Sequence, residues 1–162
     1  MNVADIMQLQ TLMRSRDWTS VYVMLDDARN RAVSDDDVKD EIYWRVTAFG
    51  REQRYEEALE LLKKNAARFN CQCLVHLDLA YILLKLGRDQ EALEDLGRAP
   101  IEEEMEEYYG LAIDAKFLYF YLLAKSGDPL VKDRLAEIPD DYRHITMDGK
   151  FLTKADIASF LK

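Results

Sequence analysis

The amino-acid sequence predicts an all-α fold that contains about four helical hairpins. Only 6 glycines and 3 prolines occur in 162 residues, and this scarcity favours long helices over strands joined by tight turns. Apolar residues recur every three or four positions through most of the chain, which is the spacing of amphipathic helices. The pattern at residues 55–59 returns 34 residues later at residues 89–93, and a period of that length is typical of stacked helical hairpins.

Each helix is predicted from an apolar stripe that ends where the spacing breaks. The first two helices are expected to form an antiparallel pair, and short polar or glycine-containing breaks separate the later ones. In chain order, the predicted helices cover residues 3–14, 19–31, 34–49, 55–69, 73–86, 89–98, 108–125 and 128–138.

Local residues mark several of these helix ends. Ser34, with Asp37 three positions later, is a capping-box pattern that predicts a helix start. Gly87 and Gly127 each follow an apolar stripe, and a residue without a Cβ suits the left-handed position after a helix. The Asp-Pro pair at residues 128–129 is a start signal, because aspartate caps a helix and proline fits its first turn.

The C-terminal residues have a different pattern. Residues 145–152 read as two short strands around a type I′ turn at the Asp-Gly pair, residues 148–149. A second capping-box pattern predicts a final helix at residues 153–161. We therefore expect a helical repeat domain at residues 1–139, with residues 140–162 packed on it as a hairpin and capping helix.

The composition excludes several functional classes. Lysine and arginine number 22 against 31 aspartates and glutamates, so the net charge is −9. This surplus argues against nucleic-acid and membrane binding and favours a basic partner. No apolar run reaches the roughly 20 residues that span a bilayer, and residues 1–5 lack the features of a signal peptide. Cys71 and Cys73 cannot form the disulfide framework of a secreted protein, so we expect a cytoplasmic location.

Two repeats are defined by setting Ala58 and Ala92 at the same position, which starts the repeats at Lys39 and Cys73. Small residues then lie where paired helices cross, and larger ones fill the adjacent space. Seven residues of the second repeat have the sizes that this packing requires: Leu79, Ala80, Leu83, Gly87, Ala92, Leu96 and Ala99. On these residues the chain resembles the tetratricopeptide repeat family over residues 39–99.

The match is looser elsewhere. In the first of the two repeats, Val46 and Gln53 stand where the family has a small residue and a glycine. Residues 1–33 and 113–139 can be aligned as a further unit on each side. The resemblance implies a right-handed superhelix of about four hairpins that binds another protein. An ordinary α-helical bundle is the alternative fold.

The resemblance also implies a concave binding face, lined by the first helix of each repeat. The predicted groove residues are Met13, Tyr43, Thr47, Leu77, Tyr81, Leu84, Phe117 and Tyr121. This row is aromatic and apolar, as a site for a helix or an extended peptide would be. Equally, the aromatic residues could belong to the core or be covered by the C-terminal residues. The Lys, Asn and Arg with which some family members bind a carboxylate are missing, so a chaperone tail is not expected.

A second candidate contact surface is acidic. Five glutamates lie at the predicted start of the helix at residues 108–125. There, their negative charges would interact favourably with the positive end of the helix dipole and keep this face solvated. They also suit a basic partner. The predicted acidic contact residues are Glu102, Glu103, Glu104, Glu106 and Glu107.

Few residues suggest chemistry. Cys71, Cys73 and His76 resemble part of a metal site, but a fourth ligand is missing, and we expect these side chains to be structural. His144 has no neighbour in sequence that would make it a general base, and we expect it at the surface. No phosphate-binding loop, serine elbow or paired histidine motif occurs. The sequence therefore predicts no enzyme, no cofactor and no metal.

Two functions suit this prediction. The first is a dedicated binder of one protein, either a bacterial immunity protein that neutralises a basic toxin or a secretion chaperone. Residues 145–162 resemble the short hairpin-plus-helix endings of such immunity proteins. The alternative is a general adaptor or scaffold subunit of a larger assembly. The oligomeric state is left open.

Overall fold

The computed structural model of the protein describes residues 1–146 and 149–161. In these residues the chain forms ten α-helices, two 3₁₀ segments and one two-stranded sheet, so the predicted helical class and the small hairpin are confirmed. None of the described helices has the length and hydrophobicity needed to span a membrane. The chain divides into two compact units, Met1–Asn70 and Cys71–Lys162. This boundary lies inside the repeat domain predicted for residues 1–139.

The first unit is formed by four helices. Each helix packs on the one that follows it along the chain. The helices are α1 (Val3–Ser15), α2 (Trp18–Arg31), α3 (Asp35–Arg51) and α4 (Tyr55–Asn65), with a 3₁₀ segment at Ala66–Arg68. One cluster of its core consists of Leu9, Met13, Val21, Leu25 and Ala48. The four helices begin within one residue of their predicted starts.

The ends of α3 and α4 are set by local residues. Ser34 and Asp37 form the predicted capping box, in which each accepts a hydrogen bond of 3.1 Å from the other's backbone N–H. Helix α4 ends at Asn65 rather than at the predicted Phe69. The Asn65 side chain donates to the carbonyl of Leu61 at 2.8 Å, and its φ of −115° leaves the helical region. The prediction of one unbroken helix here is therefore wrong by one turn.

The turns before α4 and before the helix that begins at Asp89 each contain a left-handed residue, and the two residues lie 34 positions apart. Gly87 follows α5 (Gln72–Lys85) with a φ of 72°, as predicted for the residue after a helix. Gln53 precedes α4 with a φ of 65°, although its Cβ makes this conformation unfavourable. The turn before α4 therefore adopts the left-handed conformation without a glycine.

The second unit contains the remaining elements. After α5, these are α6 (Asp89–Leu96), α7 (Ile101–Glu104), α8 (Tyr109–Lys125), α9 (Leu130–Arg134), a 3₁₀ segment (Leu135–Glu137), β1 (Arg143–Ile145), β2 (Phe151–Thr153) and α10 (Lys154–Ser159). Helix α8 is central, because α5, α6, α7, α10 and β1 all pack on it. One cluster of the core around α8 consists of Ile113, Phe117, Phe120, Ala124, Val131, Ile138 and Ile157.

Two helices of the second unit differ from prediction. Helix α7 was not predicted, because its four residues are too short to show a periodic pattern. The helix predicted at residues 128–138 is α-helical only at Leu130–Arg134 and then tightens into the 3₁₀ segment. Pro129, not Asp128, takes the N-cap position, and Asp128 accepts a hydrogen bond of 2.9 Å from the backbone N–H of Leu130 from one residue further out.

The C-terminal residues fold back on α8. Strands β1 and β2 are antiparallel, with Ile145 opposite Phe151 and His144 opposite Leu152. The first strand begins two residues before the predicted one. Met147 and Asp148 lie outside the described residues, so the predicted type I′ turn stays a prediction. The second capping box, between Thr153 and Asp156, is present at the start of α10.

Candidate functional site

The predicted groove residues of the second unit are not freely exposed. Phe117 and Leu77 are buried, and Tyr81, Leu84 and Tyr121 are half-buried. The C-terminal residues contact three of them. His144 stacks on Phe117 at a ring distance of 5.0 Å and on Tyr81 at 6.1 Å, and Phe160 meets Tyr121 edge-on at 5.4 Å. In the second unit, Phe117 therefore belongs to the core, and the C-terminal residues lie against Tyr81, Phe117 and Tyr121.

The groove residues of the first unit differ from one another. Met13 is buried in the core of its unit, whereas Thr47 is half-buried. Tyr43 is exposed, and its ring meets Trp44 edge-on at 5.5 Å. The side chain of Met13 is therefore not available to a partner, because α1 and α2 enclose it.

A polar cluster around the buried His144, which we call the His144 cluster, fixes the C-terminal residues to the second unit. It consists of Tyr81 on α5, Asp114 on α8, and Tyr142 and His144 at the start of the C-terminal residues. His144 Nδ1 lies 2.9 Å from Asp114 Oδ1, and His144 Nε2 lies 2.5 Å from the hydroxyl of Tyr81. Tyr142 donates its hydroxyl hydrogen to the same oxygen of Asp114. The cluster thus joins three separate elements.

The cluster's chemistry defines the proton positions. An ionised carboxylate only accepts, so His144 Nδ1 carries a hydrogen, and in the neutral ring Nε2 accepts from Tyr81. Burial opposes the ionisation of Asp114, but the hydrogen bonds from His144 and Tyr142 outweigh it and lower the pKa of this carboxyl. Burial raises the pKa of both tyrosines, and the nearby Asp114 adds to the effect. Each of the four members therefore has a hydrogen-bond partner within the cluster.

The order hydroxyl, imidazole, carboxylate also occurs in nucleophilic catalysis. However, His144 is 1% exposed, so its ring is closed to solvent. The expectation that His144 lies at the surface is wrong. In β1 the side chains alternate between two faces, and position 144 is the one that points to the core.

Asp78, one helical turn before Tyr81, is the exception to this pairing. Neither a hydrogen bond nor a charged group in the described part of the chain acts on its carboxyl. Burial raises the pKa of Asp78 to about 7. The sequence analysis did not single out Asp78 as a contact residue, because an isolated aspartate in a helix gives no pattern.

Cys71 and Cys73 are buried, as predicted for structural cysteines. Both lie at the start of α5, where Glu104 accepts hydrogen bonds from the backbone N–H groups of Gln72 at 2.7 Å and Cys73 at 2.8 Å. Burial raises the pKa of Cys71 to about 11 and that of Cys73 to about 12, so both thiols are protonated at neutral pH. His76 instead pairs with Asp95, at 2.9 Å from Nδ1.

The predicted acidic surface is only partly free. Glu104 points inward and caps α5, which the sequence analysis did not predict. Glu102 forms an ion pair of 2.7 Å with Lys116, a buried lysine that also pairs with Glu137. Glu103, Glu106 and Glu107 are exposed. A partner could therefore reach three of the five glutamates without breaking these contacts.

The outer face of the hairpin carries two large exposed apolar side chains. Ile145 is 58% exposed and Phe151 is 63% exposed, and they are direct cross-strand neighbours. We call this pair the hairpin patch. Both residues were predicted to lie in strands, but the two-residue turn predicted at residues 148–149 would pair Ile145 with Leu152 rather than with Phe151.

Comparison of the chain with family models, with curated proteins and with solved structures finds no match.

Proposed function

We propose that this protein is a non-catalytic binding module that holds one dedicated protein partner. The observation that carries the proposal is the hairpin patch, two large apolar side chains exposed side by side on a firmly anchored strand pair. Exposed apolar side chains that lie together are typical of protein interfaces, whereas isolated ones are common on any surface.

The strand register brings the two side chains close together. The backbone N–H of Thr146 donates to the carbonyl of Lys150 at 2.9 Å, so that pair is a hydrogen-bonded one. Hydrogen-bonded and non-hydrogen-bonded pairs alternate along an antiparallel ladder. Ile145 and Phe151, the next pair, are therefore of the non-hydrogen-bonded type, in which opposite side chains approach most closely.

The anchoring of the hairpin supports the same proposal. On the inner face of the strands, His144 belongs to the buried cluster and Leu152 packs on the core around α8. The outer face is thus already ordered before a partner arrives, which lowers the entropic cost of binding. The near-complete burial of His144 favours binding over catalysis at this place.

The charge suggests the chemistry of the partner. A net charge of −9 accelerates association with a basic protein. We therefore favour a bacterial immunity protein that neutralises a basic toxin, or a secretion chaperone, acting in the cytoplasm. The right-handed superhelix implied by the repeat resemblance is part of this proposal. A general adaptor is the alternative, and its partners would be several rather than one.

The experiment is complex formation with the product of the gene adjacent to the one that encodes this chain. We expect one stable complex, and protection of the host if that product is toxic. The double variant Ile145→Ser with Phe151→Ser should weaken the complex by at least about a hundredfold, because two apolar anchors are lost. Leu130→Ser is the matched control, since Leu130 is also exposed but lies on α9.

Two results would count against the proposal. Recovery of many unrelated proteins with similar affinity would favour the adaptor. An unchanged affinity of the double variant would remove the hairpin patch from the interface.

A further inference from the structure

We propose that Asp78 is the anchor for one cationic side chain, a lysine or arginine, of the protein partner. This inference rests on the proposed function and names the chemistry of the contact. Asp78 and Tyr81 lie three residues apart and therefore on the same face of α5. On this face Asp78 is the carboxylate without a counter-charge.

The contrast with Asp114 shows what Asp78 lacks. Asp114 accepts hydrogen bonds from His144 and Tyr142, so its negative charge is compensated. Asp78 has no such donor within the described residues, although it is removed from most of the solvent. A desolvated carboxylate gains more from an arriving cation than a surface carboxylate does, because it has little hydration left to lose.

The carboxylate of Asp78 can still be reached from outside. In the described part of the chain, no fully buried side-chain oxygen or nitrogen lacks a hydrogen-bond partner. Since Asp78 has no partner, its oxygens must touch solvent, and the residue is half-buried rather than enclosed. A long side chain with a charged end could therefore contact it.

The local charges favour a cation and disfavour an anion. Burial is the main cause of the raised pKa of Tyr81, and the charges of Asp114 and Asp78 add to it, so both carboxylates contribute a negative potential at that hydroxyl. The whole chain adds a surplus of nine negative charges. A cationic side chain is also a better fit than a metal ion, because no group of three or more His, Cys, Asp or Glu in residues 1–146 and 149–161 is arranged to hold one.

A small probe tests the site without the partner. Nα-acetyl-argininamide supplies one guanidinium, and Nα-acetyl-citrullinamide is its neutral isostere. The full-length chain, labelled at the carboxyl carbons of aspartate, is titrated with each compound and followed by NMR. We expect the arginine compound to shift the Asp78 resonance and to lower its titration midpoint, because an adjacent cation favours the charged carboxylate. The citrulline compound should do neither.

Two outcomes overturn the inference. One is an Asp78 resonance that does not respond to the arginine compound up to its solubility limit. The other is an equal response to both compounds. Asp78→Asn, checked for an unchanged circular dichroism spectrum, should abolish any arginine-dependent shift of the neighbouring Tyr81 signals.

A second experiment distinguishes a failure of this inference from a failure of the proposed function. Asp78→Asn should weaken the complex with the adjacent gene's product by at least about tenfold, since it removes one member of a desolvated charge pair. Asp141→Asn removes one exposed carboxylate of the same unit and is the matched control. A partner that binds wild type and Asp78→Asn equally well refutes the inference and leaves the proposed function standing. Binding of the arginine compound without any binding of that partner refutes the proposed function alone.

Discussion

Tyr81 and His144 lie 63 positions apart in the sequence and meet at 2.5 Å, hydroxyl oxygen to Nε2. This bond joins α5 to the first strand of the hairpin, and Asp114 on α8 holds the other nitrogen of the ring. The contact explains two features together. It covers Tyr81 and Phe117, the members of the predicted aromatic row that His144 stacks on, and it fixes the hairpin patch in the outward position.

We expect His144→Ala to lower the free energy of unfolding by about 2–4 kcal/mol, because it leaves a cavity and removes the hydrogen bonds to Tyr81 and Asp114. Urea denaturation measures this. His76→Ala, which removes a half-buried ring with one aspartate partner, is the control and should cost less. Amide exchange in β1 and α10 should also rise in the His144 variant. Unchanged exchange there would show that the cluster does not hold the C-terminal residues.

Asp78 predicts a specific pH dependence of stability. Its pKa in the folded protein is about 7, above the usual 3.8 of an aspartate, so the folded state binds more protons than the unfolded state between these values. The burial of this carboxyl therefore does not reduce the free energy of unfolding below pH 4, and it reduces that free energy increasingly as the pH rises towards 7. Tyr81 and Asp114, which face the same region, stay neutral and ionised respectively over this interval.

The variant Asp78→Asn isolates this contribution. We expect it to be more stable than wild type by about 1–3 kcal/mol at neutral pH, because it no longer buries a charge, and we expect the difference to shrink at about pH 5. Thermal unfolding at the two pH values measures the difference. A stability difference that is the same at both would contradict the raised pKa.

The turn before α4 predicts a stabilising substitution. Gln53→Gly should raise the free energy of unfolding by about 1 kcal/mol, since glycine adopts a φ of 65° without strain. The reverse change, Gly87→Gln, introduces the same strain into the second hairpin and should lower stability by about as much. Chemical denaturation of both variants gives the two values. If Gln53→Gly is destabilising, then the glutamine side chain has a role that its backbone conformation does not reveal.

Glu104 belongs to the acidic run and caps the start of α5, so its substitution should destabilise the protein. Glu104→Ala leaves the N–H groups of Gln72 and Cys73 without their acceptor, and we expect a loss of about 1–2 kcal/mol. Glu103→Ala changes an exposed neighbour and should stay within about 0.5 kcal/mol of wild type. Equal effects of the two substitutions would mean that the acidic run acts only through its overall charge.

The features that the sequence predicted correctly depend on neighbouring residues. The capping boxes at Ser34 and Thr153, and the left-handed glycine at position 87, involve partners within four positions. The features that were missed depend on distant ones. Glu104 contacts backbone groups more than 30 positions away, and His144 finds its partner in α5. Periodicity and capping patterns carry no information on such pairs.

In the candidate site, too, local features were predicted and contacts between distant residues were missed. The aromatic row was found because its members recur at helical spacing, but its coverage by Tyr142, His144 and Phe160 was visible only in three dimensions. The hairpin patch needed the strand register, which a shift of one residue would invert.

Amide hydrogen exchange of the wild-type chain, with and without the product of the adjacent gene, tests the central claim most directly. We predict new protection at Phe151 and in its neighbours on both strands when the complex forms, because the partner covers the hairpin patch. Protection that is confined to the first unit, or to the exposed glutamates of the acidic run, with none in the hairpin, would contradict the account.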